Sequence, residues 1–89
     1  MRFEWDPRKA RINKLKHGIT FEEAISCFED DHGRFYEDRD QHDRFVLIAL
    51  SRRQRLLFCV HAERDDDRIR IVSARLASKP ERRRYEDEE

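Results

Sequence analysis

Glycine, proline and cysteine are nearly missing from this chain, at two residues each among 89. With only Gly18 and Gly33, no glycine-rich loop is present to cradle the phosphates of a nucleotide. Cys27 and Cys59 build no disulfide framework and no paired-cysteine motif, and both read as buried thiols. The four histidines, His17, His32, His42 and His61, show no metal-ligand spacing. Both observations argue against structural zinc, and no cofactor is expected. No serine-centred nucleophile motif occurs. No apolar run nears the ~20 residues of a membrane span, and no signal peptide precedes Phe3, so the protein reads as cytoplasmic.

Charge is what the chain has in excess. Charged residues make up 45% of it and hydrophobic ones 37%, where ordinary domains carry about 25% charged. Such polarity suits disorder, but six Phe, one Trp and well-patterned apolar runs argue for a small core inside a charged skin. A chain this short forms one domain, residues 1–89, and buries only ~60–65% of its extended surface. The net charge of zero hides a strong pattern. Residues 1–20 and 44–64 are basic, 21–43 carry nine acids against two bases, and Arg68 to Arg84 is basic again before an acidic end. A basic face can attract phosphate backbones without the domain being basic overall.

Local signals divide the chain cleanly. Arg2 to Trp5 reads as a short strand. Asp6 is an N-cap with Pro7 at the first helical position, and the helix runs to about His17 before stopping at Gly18. Thr20 and Glu23 form a capping-box signature for a second helix, whose Phe21, Ala24, Ile25 and Phe28 share one face. The acidic stretch that follows holds a short edge strand around Arg34–Glu37. Three strands come next, Arg44–Ser51, Arg55–Glu63 and Arg68–Leu76, joined by connections short enough for an antiparallel meander. A second capping box, Ser78 with Glu81, opens a last helix with little apolar surface beyond Tyr85, so that helix needs a partner surface. The expected fold is α+β, in the order β-α-α-β-β-β-β-α, with two N-terminal helices covering one face of a small antiparallel sheet and a short C-terminal helix.

Alternation divides the strand residues between two faces. Leu57, Cys59, His61 and Glu63 point one way, and Ile69, Ile71, Ser73 and Arg75 share one face of the last strand. A three-residue turn at Asp65–Asp67 sets these two groups side by side, on the face away from the helices. A turn of two or four residues places Arg70 beside His61 and Glu63 instead. In the first arrangement the open face carries Leu57, Ile69 and Ile71, an apolar surface that a small domain seldom exposes without a partner.

Several dispersed motifs occur in a fixed order. They are FEWDP from Phe3, NKLKHG at 13–18, TFEEA from Thr20, RFVLIAL at 44–50, ER at 63–64, IRIVSAR at 69–75, and ER at 81–82 with Tyr85-Glu86. Together they resemble the BrnT family, the toxin half of a bacterial type II toxin–antitoxin pair. The resemblance covers nearly the whole chain. It implies a RelE-like ribonuclease fold, RNA endonuclease activity that halts translation, and neutralisation by a BrnA-type antitoxin. It also implies that operator DNA is bound only through the antitoxin.

Cutting RNA without a metal requires a base for the 2′-hydroxyl, an acid for the leaving 5′-oxygen and cations for the charged phosphorane. His61, Glu63 and Arg75 are the expected catalytic residues: imidazole suits both proton transfers, Glu63 serves as a base or orients His61, and Arg75 holds phosphate in fork geometry. Lys16, His17, Arg64, Arg70 and Ser73 are the expected substrate-binding residues. Plainer readings stand beside these. His61 is equally a structural strand histidine, Lys16 and His17 suit a helix C-terminus, Glu63 and Arg64 flank a turn, and Arg75 pairs with a carboxylate of the acidic segment. The rival function is a non-catalytic protein-binding module or co-repressor subunit, and composition alone does not separate the two.

Overall fold

Asp6 begins the first helix by accepting a hydrogen bond from the Arg8 backbone N–H at 2.8 Å, ahead of Pro7, whose missing N–H costs nothing at that position. The computed structural model describes residues 1–65 and 67–87. Asp66, in the middle of the expected Asp65–Asp67 turn, and the terminal acids Glu88 and Glu89 lie outside the described residues. The elements run β1 (Arg2–Glu4), α1 (Pro7–His17), α2 (Phe21–Ser26), a 3-10 turn (Cys27–Glu29), β2 (Arg34–Glu37), β3 (Arg44–Leu50), β4 (Leu56–Glu63), β5 (Arg68–Leu76) and α3 (Lys79–Glu86). Gly18 ends α1 at φ 70°, a left-handed conformation that glycine adopts without penalty.

The five strands lie in the order β1-β5-β4-β3-β2. β2 to β5 form the expected antiparallel meander, but β1 pairs with β5 in parallel, so the sheet is mixed. The helical excursion after β1 allows this, because a strand separated from its neighbour by a long connection need not reverse direction. α1 and α2 cover one face, where Ile19, Phe21, Ala24 and Cys27 pack against Leu47, Leu57, Cys59, Ile71 and Ala74. Cys27 and Cys59 are both free and buried; the Cys27 hydrogen bond and burial push the Cys59 thiol well up, away from the reactive thiolate.

Two expectations about the other face are overturned. Leu57, Ile69 and Ile71 do not form an open apolar surface; they are core residues beneath the helices. Nor does α3 await a partner. It lies on the opposite face against β3, with Tyr85 packed beside Val46, Ile48 and Leu56. The Tyr85 hydroxyl donates to Asp30 Oδ2 at 2.6 Å, and the same oxygen accepts the Leu50 N–H at 2.8 Å. An aromatic ring with a part-buried polar anchor, together with hydrogen bonds from Arg75 to Glu81, docks an otherwise charged helix.

Two polar residues, Glu23 and Asn13, tie the layers together. Thr20 caps α2 by accepting the Glu23 N–H at 3.0 Å, but the Glu23 side chain does not return the bond. It reaches across to the β3–β4 hairpin instead, accepting from Ser51 Oγ at 2.6 Å and from Arg55 through two nitrogens. The Arg55 hydrogen bonds hold the Glu23 carboxyl below the usual range despite its burial. The hairpin turns at Arg52–Gln54, closed by Ser51 N–H to Arg55 O at 2.8 Å, with Gln54 at φ 65°. Asn13 is the second tie. Its Nδ2 donates to Ile19 O at 2.9 Å and to Ala74 O at 2.8 Å, while its Oδ1 accepts the Ala74 N–H at 3.0 Å. Among the described residues no helix is long and apolar enough to cross a membrane.

Candidate functional site

Strand β5 carries one residue too many for simple alternation. Glu63 pairs with Ile69 and His61 with Ile71, as a three-residue turn requires, but Val60 then pairs with Ser73 and Phe58 with Arg75. Val72 is left without an opposite number, which is a β-bulge. A bulge shifts every later side chain to the other face. His61, Glu63, Ile69 and Ile71 therefore share the helix-covered face, whereas Ser73 and Arg75 stand beside Val60 and Phe58 on the α3 side. The expected grouping of His61, Glu63, Ser73 and Arg75 on one surface is broken at Val72.

His61 is consequently a core residue. It is 1% exposed, with the Phe28 ring 5.0 Å away edge-on and Phe35 and Phe45 each at 6.0 Å. Its Nδ1 is buried without a hydrogen-bond partner. Burial pushes its pKa down to about 4, offset only in part by the Cys59 backbone. A neutral imidazole enclosed by phenylalanines has no route to a substrate, so the catalytic role expected of His61 does not fit its position. Glu63, at the end of the same strand, is exposed.

The opposite face gathers the arginines. Across it run Glu4, Arg70, Ala62 and Arg44, then Ser73, Val60, Val46 and Tyr36, then Arg75, Phe58, Ile48 and Arg34. Arg70 donates to Glu4 Oε2 at 2.9 Å and Arg68 to Oε1 at 3.1 Å, with Arg64 at 3.9 Å from the same carboxylate. Arg70's hydrogen bond is the main reason that the Glu4 carboxyl lies below its ordinary range. Arg75 lies 4.1 Å over the Phe58 ring, a cation–π contact. Its two terminal nitrogens donate to Glu81 at 2.8 and 2.9 Å, fork to fork. Its carboxylate partner thus comes from α3 and not from the acidic segment. Burial works to raise the Glu81 carboxyl, but hydrogen bonds from Arg75 and Ser78 outweigh it and hold the group low. Glu81 also completes the α3 capping box by accepting the Ser78 N–H at 2.8 Å.

Beyond the three residues covered by β1, the edge of β5 meets α1. Lys16, His17, Val72 and Ser73 line a shallow hollow of about 160 Å³ there. Of the expected substrate-binding residues, Lys16, His17 and Ser73 thus come together, and Arg64 and Arg70 meet separately around Glu4. Sequence reasoning overlooked Glu4, Arg44, Phe58 and Glu81. For Glu4 the signal was alternation with the inward Phe3; for Glu81 the capping role concealed the second partnership. Among the described residues no group of three or more His, Cys, Asp or Glu side chains is placed to hold a metal ion.

Two comparisons bear on this arrangement. A family model described as the ribonuclease toxin BrnT of type II toxin–antitoxin systems matches residues 5–81. The fold is similar to the 1.1 Å crystal structure of the Brucella abortus ribonuclease toxin BrnT, with a TM-score of 0.69 and 21% sequence identity. The match covers 89% of this chain and 99% of that one. No curated protein matches the sequence.

Proposed function

The chain belongs to the BrnT family of ribonuclease toxins of type II toxin–antitoxin systems, and from that membership we propose that it is a metal-independent RNA endonuclease working across β5. Its fold is read as RelE-like and its place of action as the cytoplasm, where RNA cleavage halts translation. The observation that carries the reading is the gathering of Arg70, Ser73 and Arg75 on one face of β5, with Lys16 and His17 at the edge of the same strand. Ser73 belongs to both groups.

In this reading the backbone of an RNA strand crosses β5 at Ser73. Arg75, oriented by Phe58 and Glu81, offers its guanidinium to the phosphate as negative charge grows in the phosphorane. Arg70 and Lys16 supply further cations. His17 replaces His61 as the proton carrier, because an exposed imidazole beside Ser73 can both accept and donate. Glu63, at the strand's end on the other face from Ser73, has no part at this phosphate, and Arg64 beside it is a contact for the RNA backbone further along.

The products are a 5′-hydroxyl end and a 2′,3′-cyclic or 3′-phosphate end. Purified protein incubated with RNA in excess EDTA, with the ends of the fragments identified, tests this. Cleavage that requires added Mg²⁺ refutes the mechanism, and folded protein that never cuts RNA returns the chain to a binding role. Membership of a type II family implies an antitoxin partner. That partner is proposed to be a BrnA-type protein that blocks the arginine face and alone contacts operator DNA.

A further inference from the structure

On the same face as Arg75, but one strand further from β5, the sheet holds a hollow of about 360 Å³ that the cleavage chemistry leaves unused. This is within the ~300–1,000 Å³ typical of small-molecule sites. Val46 and Phe58 line it together with the Tyr36 ring, and the Arg84 guanidinium lies 5.1 Å over that ring. Glu37 at the end of β2, with Asp38 and Arg39 just past it, completes the lining. We propose that this hollow binds a guanine base of the RNA substrate, stacked against Tyr36 and read at its edges by Asp38 and the two arginines.

The lining selects the ligand. Flat aromatic walls and a guanidinium favour a planar ring, since stacking on such surfaces suits every base. The polar groups then discriminate. Asp38 is held by its own turn: its Oδ1 accepts the Asp40 N–H at 2.9 Å, and its N–H donates to Arg44 O at 2.9 Å. A carboxylate has about four acceptor positions, so most of them remain for a ligand. Guanine alone among the four bases sets two N–H groups side by side, N1–H and N2–H₂, to match both oxygens of a carboxylate. It also offers O6 and N7, the pair that an arginine fork recognises best. Uracil turns carbonyls toward the carboxylate on both sides of its single N–H, and cytosine and adenine each offer only one amino group.

Phe58 joins this hollow to the chemistry, because it lines the hollow and carries Arg75 above its ring. A base held here lies one side chain away from the guanidinium assigned to the phosphate. The inference rests on the ribonuclease reading only in taking the guanine to be part of an RNA.

The test separates the two ideas by measuring binding without cleavage. Nitrogen-15-labelled protein is titrated with the 5′-monophosphates of guanosine, adenosine, cytidine and uridine while amide shifts are followed. The expected result is saturable shifts at Tyr36, Asp38 and Val46 with the guanosine nucleotide, at an affinity about tenfold or more above the others. Asp38→Asn is expected to abolish that preference and Tyr36→Leu to weaken all binding, with the remaining spectrum unchanged. Equal affinity for all four nucleotides, or shifts confined to other surfaces, overturns the inference even if RNA is cleaved. Guanosine-selective shifts at the hollow in a protein that cuts no RNA uphold the site while refuting the ribonuclease reading.

Discussion

His61 and Arg75 stand on opposite faces of one hairpin, because the single unopposed residue Val72 turns β5 over between Ile71, which pairs with His61, and Arg75. The two residues that chemistry would most readily pair are kept apart by the sheet itself. Their variants should therefore fail in different ways.

Arg75→Ala should leave the fold intact and lower the rate of RNA cleavage by roughly 10²–10³, the usual effect of removing one donor to transition-state charge. Arg75→Lys should recover little of it, because an ammonium cannot reproduce the planar two-nitrogen grip on Glu81 that orients the charge. Single-turnover cleavage alongside circular dichroism measures both. Full activity in folded Arg75→Ala would remove this residue from the site.

His61→Phe should keep cleavage and change the acid response. The folded-state pKa of His61, about 4, lies below its ordinary value of 6.5. The unfolded chain therefore binds a proton more readily, and stability fully present above pH ~6.5 is lost as pH falls toward 4. The loss is on the order of 3 kcal/mol, from ~1.4 kcal/mol per pH unit. Denaturant melts at pH 7 and pH 4.5 should show a steep loss in the native chain and a shallower one in His61→Phe. Glu23 adds a second, more acidic window, since its lowered carboxyl contributes stability above its ordinary range and loses it as pH falls through the folded pKa. Identical pH profiles for the native chain and His61→Phe would contradict the aromatic enclosure of this residue.

Asn13→Ala should destabilise the protein by about 3 kcal/mol. It strands the buried Ala74 N–H and C=O together with the Ile19 carbonyl, and each buried group left unpaired costs ~1–3 kcal/mol, not fully additively. Asn13→Asp should be at least as damaging, because a carboxylate faces two carbonyls that need a donor. Urea unfolding checks the order of the two.

Gln54→Gly should stabilise by about 0.5–1 kcal/mol. Gln54 holds φ 65° in the β3–β4 turn, where a side chain costs ~1–2 kcal/mol and the extra freedom of glycine in the unfolded chain returns part of the gain. Thermal melts measure the change. A lower melting temperature would mean that the glutamine side chain has a role beyond filling the turn.

Much of this architecture was legible in the residues. Asp6-Pro7, Gly18, Thr20 and Ser78-Glu81 mark helix ends through local hydrogen bonding, and local bonding is what a short window of sequence encodes. The Glu63–Ile69 register was legible as one of two alternatives, that of a three-residue turn, and it is the one observed. The bulge at Val72 was not. Ile71-Val72-Ser73 alternates no differently from an unbroken strand, and the insertion is expressed only in the pairing with β4. Everything past that point was assigned to the wrong face, including Arg75 and, by extension, the surface expected to bind RNA. The parallel seating of β1 was hidden for a related reason, since partner choice across some sixty residues leaves no local mark.

Asn13 has one more consequence. Its side-chain amide meets both the N–H and the C=O of Ala74, so it occupies the place of a single peptide unit in the next strand. β1 covers the first part of the β5 edge, and this amide covers Ala74 beyond it. A sheet polymerises only if both of its margins can accept a newcomer. With one margin plugged by an asparagine, edge-to-edge association through β2 would stop at a pair. The asparagine thereby guards this small sheet against growing into fibrils.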